Sequence, residues 1–492
     1  MKECNSIEEV CDMAYPRLHE LNPRNLSSIW TKISQIIVAS NYSSRIGGQQ
    51  HHQQQQPQQQ QHLREQLESI FTKTTDSMMT FEPRDLTQTA LSFAKIVREV
   101  VAGSSSNHHN GNMMKSNNFR VGGAGVYHEI LHDIFIGPNS VNRRRKEGIF
   151  QSIADAAIPN IWYFEPRFLS NLAYANAIAG TVPVVVTDDG STTTMTTTTQ
   201  PTLFDRIAEV SIPLLAEFNP QDLSNIVWSY EKVRATTSPL FDEVANSILA
   251  RDDLDIFPPQ ALSNILLAFA KVHESNNNPK TAGGGGGDAI AGEANTNSQK
   301  LVFEKVADHI ITTNAQDTTY LDTYTPQALA NILWAYATVH ECSPALFETV
   351  AHHILHHHHH YHRVHNNNNT NNSYLTSFKA QELSNIVWAY ASTSNRQPLL
   401  FSIVADHILL TTTTILKSFN AQNCGNILWA YATANIIHEE LFARVSRHVM
   451  HNIDFASLDG TVQYNLLRAS EKAQRVVQGK KKKKEGALEE GK

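Results

Sequence analysis

The strongest constraint on this chain is an internal repeat that returns five times with little change. The copies read PQDLSNIVWSYEKV from Pro220, PQALSNILLAFAKV from Pro259, PQALANILWAYATV from Pro326, AQELSNIVWAYAST from Ala380 and AQNCGNILWAYATA from Ala421. Weaker copies begin at Pro23, Pro83 and Pro166, and a worn copy surrounds Asn465. The Asn of each strong copy follows the previous one by 39, 67, 54 and 41 residues, so the basic unit is about 39 residues. A period of this length predicts a stack of structural repeats.

Polar low-complexity tracts account for the longer spacings, because such tracts cannot bury apolar surface and are expected in disordered loops. The sequence therefore predicts a degenerate N-terminal repeat, a poly-Gln linker, a helical-repeat array and a Lys-rich disordered tail. Their predicted ranges are 1–46, 47–62, 63–473 and 474–492, with loops inserted into the array at 104–125, 182–200, 275–298 and 356–373. The 83 residues between Gln88 and Asn171 hold two possible helices and leave room for a degenerate repeat.

A second recurring phrase lies between the copies of the first and has the pattern of an amphipathic helix. In LFETVAHHIL, Phe347, Val350, Ala351 and Ile354 are spaced by three and four residues and share one face. Each unit is therefore predicted to contain a helix A, a loop and a helix B. Two helices of this size cannot shelter their apolar faces alone, so neighbouring units must stack. The predicted fold is all-α, a right-handed α-solenoid of about eight to nine helix pairs.

The start of helix A carries its own signals. A proline suits the first helical turn, because its missing N–H is not needed there. Asn219 and Thr325 precede such prolines and are predicted N-caps. The worn copy at Asn465 has Arg468 and Ser470 where other copies have Trp and Tyr, as a terminal repeat facing water requires.

A helical wheel for helix A separates an apolar side, which includes Leu333 and Tyr336, from a side with Asn331 and Trp334. Two interpretations of that second side remain open. In one, Trp fills the groove between successive A helices and Asn bonds to the neighbouring repeat. In the other, Asn lines a concave face and meets a base edge, since an amide offers both a donor and an acceptor. The Asn candidates for ligand contact are Asn225, Asn264, Asn331, Asn385 and Asn426.

Positions that vary between copies are predicted to determine which ligand sequence is bound, because a residue that is identical in every copy cannot distinguish one base from another. Arrays that read one base per helical repeat are a known use of stacked helix pairs. The variable candidates are Asp222, Ala261, Ala328, Glu382 and Asn423.

Composition excludes several classes of protein. The net charge of −7 argues against binding a polyanion by bulk charge alone. The four Cys form no CxxC pair, which favours a reducing compartment, and no apolar run approaches the length of a membrane span. The first ten residues resemble neither a signal peptide nor a transit peptide.

No Ser/His/Asp, Cys/His or paired-carboxylate arrangement indicates an enzyme. The His tract near His356 is predicted to be a loop rather than a metal site, so neither a metal nor another cofactor is expected.

The phrases PQALSNILLAFAKV and PQALANILWAYATV resemble helix A of octotricopeptide repeats and the related Leu-rich helical repeats of FAST-kinase-like proteins. The resemblance covers most of the chain from about Pro166 to Ala473. It implies an α-solenoid that binds single-stranded organellar RNA and governs its processing, stability or translation. It also implies a mitochondrial or plastid location, with the cytoplasm or nucleus as the alternative. The competing prediction is a protein-binding scaffold of armadillo or HEAT type, which the acidic balance favours.

Overall fold

The computed structural model describes most of the chain apart from the low-complexity segments. The described residues are 4–45, 57–105, 124–137, 143–181, 201–236, 238–277, 296–341, 343–365, 374–395, 397–410, 415–436, 438–458, and 460–478 in part. Within these ranges the regular structure is helical, and no β-strand occurs. The α-helices are α1 Ile7–Ala14, α2 Pro23–Arg45, α3 Pro57–Ser77, α4 Pro83–Ser105, α5 Ala124–Phe135, α6 Arg143–Ala157, α7 Pro166–Ala179, α8 Leu203–Ser211, α9 Pro220–Lys232, α10 Leu240–Leu249, α11 Pro259–Asn277, α12 Thr296–Gln316, α13 Pro326–Thr338, α14 Pro344–His365, α15 Ala380–Ser392, α16 Pro398–Leu410, α17 Ala421–Thr433 and α18 Glu439–Asn452.

The chain divides into two compact units, Met1–Val244 and Ala245–Lys492. In the first unit the A helices α2, α4, α7 and α9 pack in chain order, each on the next. In the second unit the A helices α11, α13, α15 and α17 do the same. The B helices of the second unit form a second row, in which each helix contacts its successor. They are α12, α14, α16 and α18. The predicted all-α solenoid class is therefore confirmed for both units.

The long spacing between the second and third weak copies has a specific explanation. Helix α4 packs directly on α7, so no further A helix lies between them. Helix α6 is a B helix, because the 3-10 turn Ile158–Tyr163 follows it just as 3-10 turns follow α1, α3 and α8. It also contacts the 3-10 turn Met78–Thr80, which follows α3. Helix α5 is an added helix that packs on α3 and α4. The possible degenerate repeat is thus an inserted helix.

The predicted helix signals are confirmed at the residues concerned. The side chain of Asn219 accepts a hydrogen bond from the Asp222 N–H at 2.9 Å, and that of Thr325 accepts one from the Ala328 N–H at 3.2 Å. Leu333 and Tyr336 are buried, and so is the predicted apolar face of α14.

In four of the five strong copies, a recurring tyrosine holds the A helix to the B helix that precedes it; the copy in α11 has Phe269 at this position. The Tyr336 hydroxyl donates to the Phe303 carbonyl at 2.6 Å, and its ring meets the Phe303 ring edge-on. The same contact recurs in three other repeats, as Tyr230 on Phe204, Tyr390 on Phe347 and Tyr431 on Phe401. All four tyrosines are buried, so this hydrogen bond is shielded from water and fixes how the two helices meet.

Helices extend into several segments that the sequence predicts to be linker or loop. Helix α3 begins at Pro57, inside the predicted 47–62 linker. Helix α14 continues to His365 and includes much of the His tract that was assigned to the 356–373 loop. A helix that is already anchored in the array adds residues at little cost, because only the first turn carries the cost of nucleation. The Thr-rich segment 182–200, most of the remaining predicted loops and the tail beyond 478 lie outside the described residues.

Candidate functional site

Each A helix leaves one stripe of side chains at the edge of the core, at its second, sixth, ninth and thirteenth residues. This spacing places all four side chains on one face of a helix. We call these positions the A stripe. In the first unit they are Arg24, Ser28, Thr31, Gln35, Arg84, Gln88, Leu91, Lys95, Arg167, Asn171, Tyr174, Ile178, Gln221, Asn225, Trp228 and Lys232. In the second unit they are Gln260, Asn264, Leu267, Lys271, Gln327, Asn331, Trp334, Thr338, Gln381, Asn385, Trp388, Ser392, Gln422, Asn426, Trp429 and Thr433. All are exposed or half-buried except Asn331, which is 8% exposed.

The A stripe contains no acidic residue, although the whole chain carries a net charge of −7. Six of its positions are cationic, and the second residue is Arg in the three N-terminal A helices and Gln in the five others. The acidic residues Asp85, Asp222 and Glu382 occupy the neighbouring third position, where they are buried. Five of the six cations lie on the stripe of the first unit and one, Lys271, on that of the second, so the stripe is cationic in the first unit and mainly uncharged in the second.

Indole rings at the ninth position stack on one another along the second unit. The ring centroids of Trp334 and Trp388 are 6.3 Å apart with their planes at 28°, and those of Trp388 and Trp429 are 6.1 Å apart at 33°. The Lys472 ammonium lies 5.1 Å from the centre of the Trp429 ring and ends this row. The rings fill space between successive A helices and keep part of their surface exposed. The first interpretation, in which Trp fills the groove between successive A helices, therefore holds for these three rings.

The predicted Asn candidates lie at the sixth position, beside the indoles. In two copies the amide is held by its own helix, since Gln221 donates to Asn225 at 2.8 Å and Gln260 donates to Asn264 at 2.9 Å. Asn385 and Asn426 are half-buried at the same position. A paired Gln and Asn at this edge leave amide N–H and carbonyl groups for a polar ligand.

The predicted specificity residues at the third position lie elsewhere, in the contact between A helices. Asp222, Ala261, Ala328, Glu382 and Asn423 are all buried. The Ser170 hydroxyl donates to Asp222 at 3.0 Å, and Asn423 donates to the Ser384 hydroxyl at 3.2 Å. Burial raises the pKa of Asp222. Because all five residues are buried, the half-buried or exposed ninth and thirteenth positions are the better candidates for ligand contact.

A cavity of about 850 Å³ lies at the C-terminal end of the stripe in the second unit. Its apolar wall includes Trp388 and Trp429, and Gln422 and Asn426 line it beside them. The charged residues that line the cavity are Arg468, Glu471, Lys472 and Arg475. The cavity thus joins two indoles and two amides to three cations and one carboxylate, which suits a planar anionic ligand.

The sequence reasoning missed a second recurring feature on the opposite layer of helices. Four B helices of the second unit carry a histidine at the same repeat position, His309, His353, His407 and His448. Aligning the phrases VFEKVADHII, LFETVAHHIL, LFSIVADHIL and LFARVSRHVM is enough to reveal it. His353, His407 and His448 are buried, so this column belongs to the packing of the B layer.

No protein-family model and no curated protein matches this chain. None of the described helices combines the length and the apolar character that crossing a bilayer would require.

Proposed function

We propose that this chain is a noncatalytic protein that binds single-stranded RNA along the A stripe. The observation that carries the proposal is the row of stacked, partly exposed indoles with amides beside it. Unpaired bases stack on aromatic side chains, and each such contact contributes about 1–3 kcal/mol. Asn and Gln amides can hydrogen-bond to base edges, which a single strand exposes and an RNA duplex hides in its deep groove.

The charge of the stripe supports RNA over a protein partner. A polyanion is repelled by the chain as a whole, since its net charge is −7. The stripe itself carries no carboxylate in either unit, so RNA phosphates would meet cations or uncharged side chains there. The terminal cavity adds Arg468, Lys472 and Arg475 next to two indoles, an arrangement suited to one nucleotide. Action on organellar RNA rests on the sequence resemblance and forms part of this proposal.

Selection of bound sequences from a random single-stranded RNA pool tests the proposal. We expect enrichment above a scrambled control at physiological salt, with weaker binding to duplex RNA of the same length. The six stripe cations and the three cations of the cavity set an upper bound of nine on phosphate contacts, so the slope of log K against log salt should be no steeper than roughly −6. No enrichment, together with specific binding of an acid-poor protein segment, would favour the armadillo- or HEAT-type scaffold instead.

A further inference from the structure

The B layer of the second unit brings together three metal-ligating groups that the proposed function does not use. His353 and His357 lie one turn apart on α14, and Asp322 lies in the 3-10 turn Tyr320–Thr323. Each offers one ligand atom, and these three atoms all lie within 4.8 Å of one another. The Asp322 Oδ1 atom is 2.8 Å from His357 Nε2 and 3.7 Å from His353 Nδ1.

We propose that Asp322, His353 and His357 form a binding site for one divalent transition-metal ion of the Zn²⁺ class. Two imidazoles and one carboxylate, with a position left for water, are a common zinc donor set. In a tetrahedral site with bonds near 2.0–2.1 Å, donor atoms are about 3.3 Å apart. The two distances from Asp322 lie on either side of this value and all three ligand atoms lie within 4.8 Å of one another, so side-chain rotations can bring them to one ion.

A neighbouring tyrosine, Tyr374, already orients the buried His353 side chain. The His353 Nε2 atom lies 3.0 Å from the Tyr374 hydroxyl, which leaves Nδ1 to face Asp322 and His357. Metal-bound histidines usually have their other ring nitrogen held in this way, which fixes the ring and its tautomer.

The preceding repeat supplies an internal comparison. There His309 Nδ1 lies 3.8 Å from Asp255 Oδ1, and His309 Nε2 lies 3.0 Å from the Tyr320 hydroxyl. That repeat has Thr313 where α14 has His357. The Asp–His–Tyr arrangement is therefore a packing feature of the B layer, and the second histidine on α14 converts one copy into a chelating site.

The other histidines of the His tract are the main competitors for metal, so the test first removes them. A tract variant replaces the neighbouring histidines by Gln and keeps the three proposed ligands. The substituted residues are His352, His356, His358, His359, His360, His362 and His365. Calorimetric titration of the full chain with Zn²⁺ should still give one site per chain, and Zn²⁺ should raise its melting temperature.

In that tract variant, adding Asp322→Asn or His357→Gln should weaken Zn²⁺ binding at least tenfold and abolish the thermal shift. Asp255→Asn in the preceding repeat is the matched control and should leave both unchanged. Equal melting temperatures without metal would show that the fold is intact in every variant. Loss of one-to-one binding in the tract variant, or an unchanged affinity after Asp322→Asn, would overturn the proposal.

Discussion

At the scale of single residues, the repeat separates side chains that hold the array together from side chains available to a ligand. Tyr390 donates to the Phe347 carbonyl inside the core, whereas Trp388, two residues earlier, stacks at the edge of the same helix. Both are large aromatics that recur at fixed positions. Their difference in burial follows from the helical period, which turns position nine outward and position eleven inward.

Buried His407 of the B layer makes stability sensitive to acid. Burial lowers the pKa of His407 to about 4, against about 6.5 in an unfolded chain. Below pH 6.5 the unfolded state therefore takes up a proton that the folded state does not, and stability falls until about pH 4. We expect His407→Leu to reduce the loss of unfolding free energy between pH 7.5 and pH 4.5 by on the order of 2–3 kcal/mol. Urea denaturation at the two pH values measures this, and equal losses in both proteins would contradict it.

At the scale of elements, most of the A helices are followed by a residue in the left-handed backbone conformation, with a positive φ. The residue fourteen positions after the start of the helix has a φ of 67° at Gly180, 61° at Arg234, 57° at His340, 58° at Ser394 and 56° at Asn435. Only glycine adopts this conformation without cost. The A-to-B turn therefore keeps its geometry even where the sequence supplies a strained residue.

Substitutions at two of these turns should act in opposite directions. Ser394→Gly should stabilise the chain by about 0.5–1 kcal/mol, because it removes the steric cost of a side chain at positive φ. Gly180→Ala should destabilise it by about 1 kcal/mol, because an alanine is strained at this positive φ. The added Cβ would clash with nothing, since the nearest atom is Lys146 Nζ at 4.0 Å. Denaturant midpoints measure both. A loss on Ser394→Gly would mean that the Ser394 side chain contributes a contact that outweighs its strain.

Much of the element structure follows from the sequence, and what does not follow depends on neighbours. The caps at Asn219 and Thr325 and the buried face of α14 could be predicted because they are local patterns. The burial of Asp222 could not be predicted, because a charged residue on a helix is expected to be exposed. Its burial depends on the Ser170 hydroxyl of the adjacent A helix α7, which donates a hydrogen bond to it. The Asp322–His353 pair likewise joins residues that only the stacking of repeats brings together.

At the scale of the whole molecule, the described helices account for the core and the low-complexity segments lie between them. Residues 278–295 separate α11 from α12 and fall outside the described residues. Helices α11 and α12 contact each other directly. Because α11 and α12 pack on each other directly, we expect their packing to tolerate a change in the length of the connection.

Shortening that connection tests the division between array and insertions. Deleting residues 281–288 should change the free energy of unfolding by less than about 1 kcal/mol, because loop-closure entropy varies slowly with length. The control Leu383→Ala removes a fully buried side chain from α15 and should cost about 2–5 kcal/mol. Thermal melts of both variants decide the matter. A larger loss from the deletion than from Leu383→Ala would show that the insertion contributes to the core.

The affinity of single-stranded RNA for one indole variant tests the central claim most directly. Trp388→Leu introduces a residue that the chain already has at this position in another repeat, as Leu267, so the fold should tolerate it. Trp162→Leu is the control, since Trp162 is 57% exposed and lies outside the A stripe. Fluorescence anisotropy with a selected RNA should show at least tenfold weaker binding for Trp388→Leu, or about 1.4 kcal/mol, and no change for Trp162→Leu. Equal affinities for wild type and Trp388→Leu would contradict the assignment of the A stripe as the RNA-binding surface.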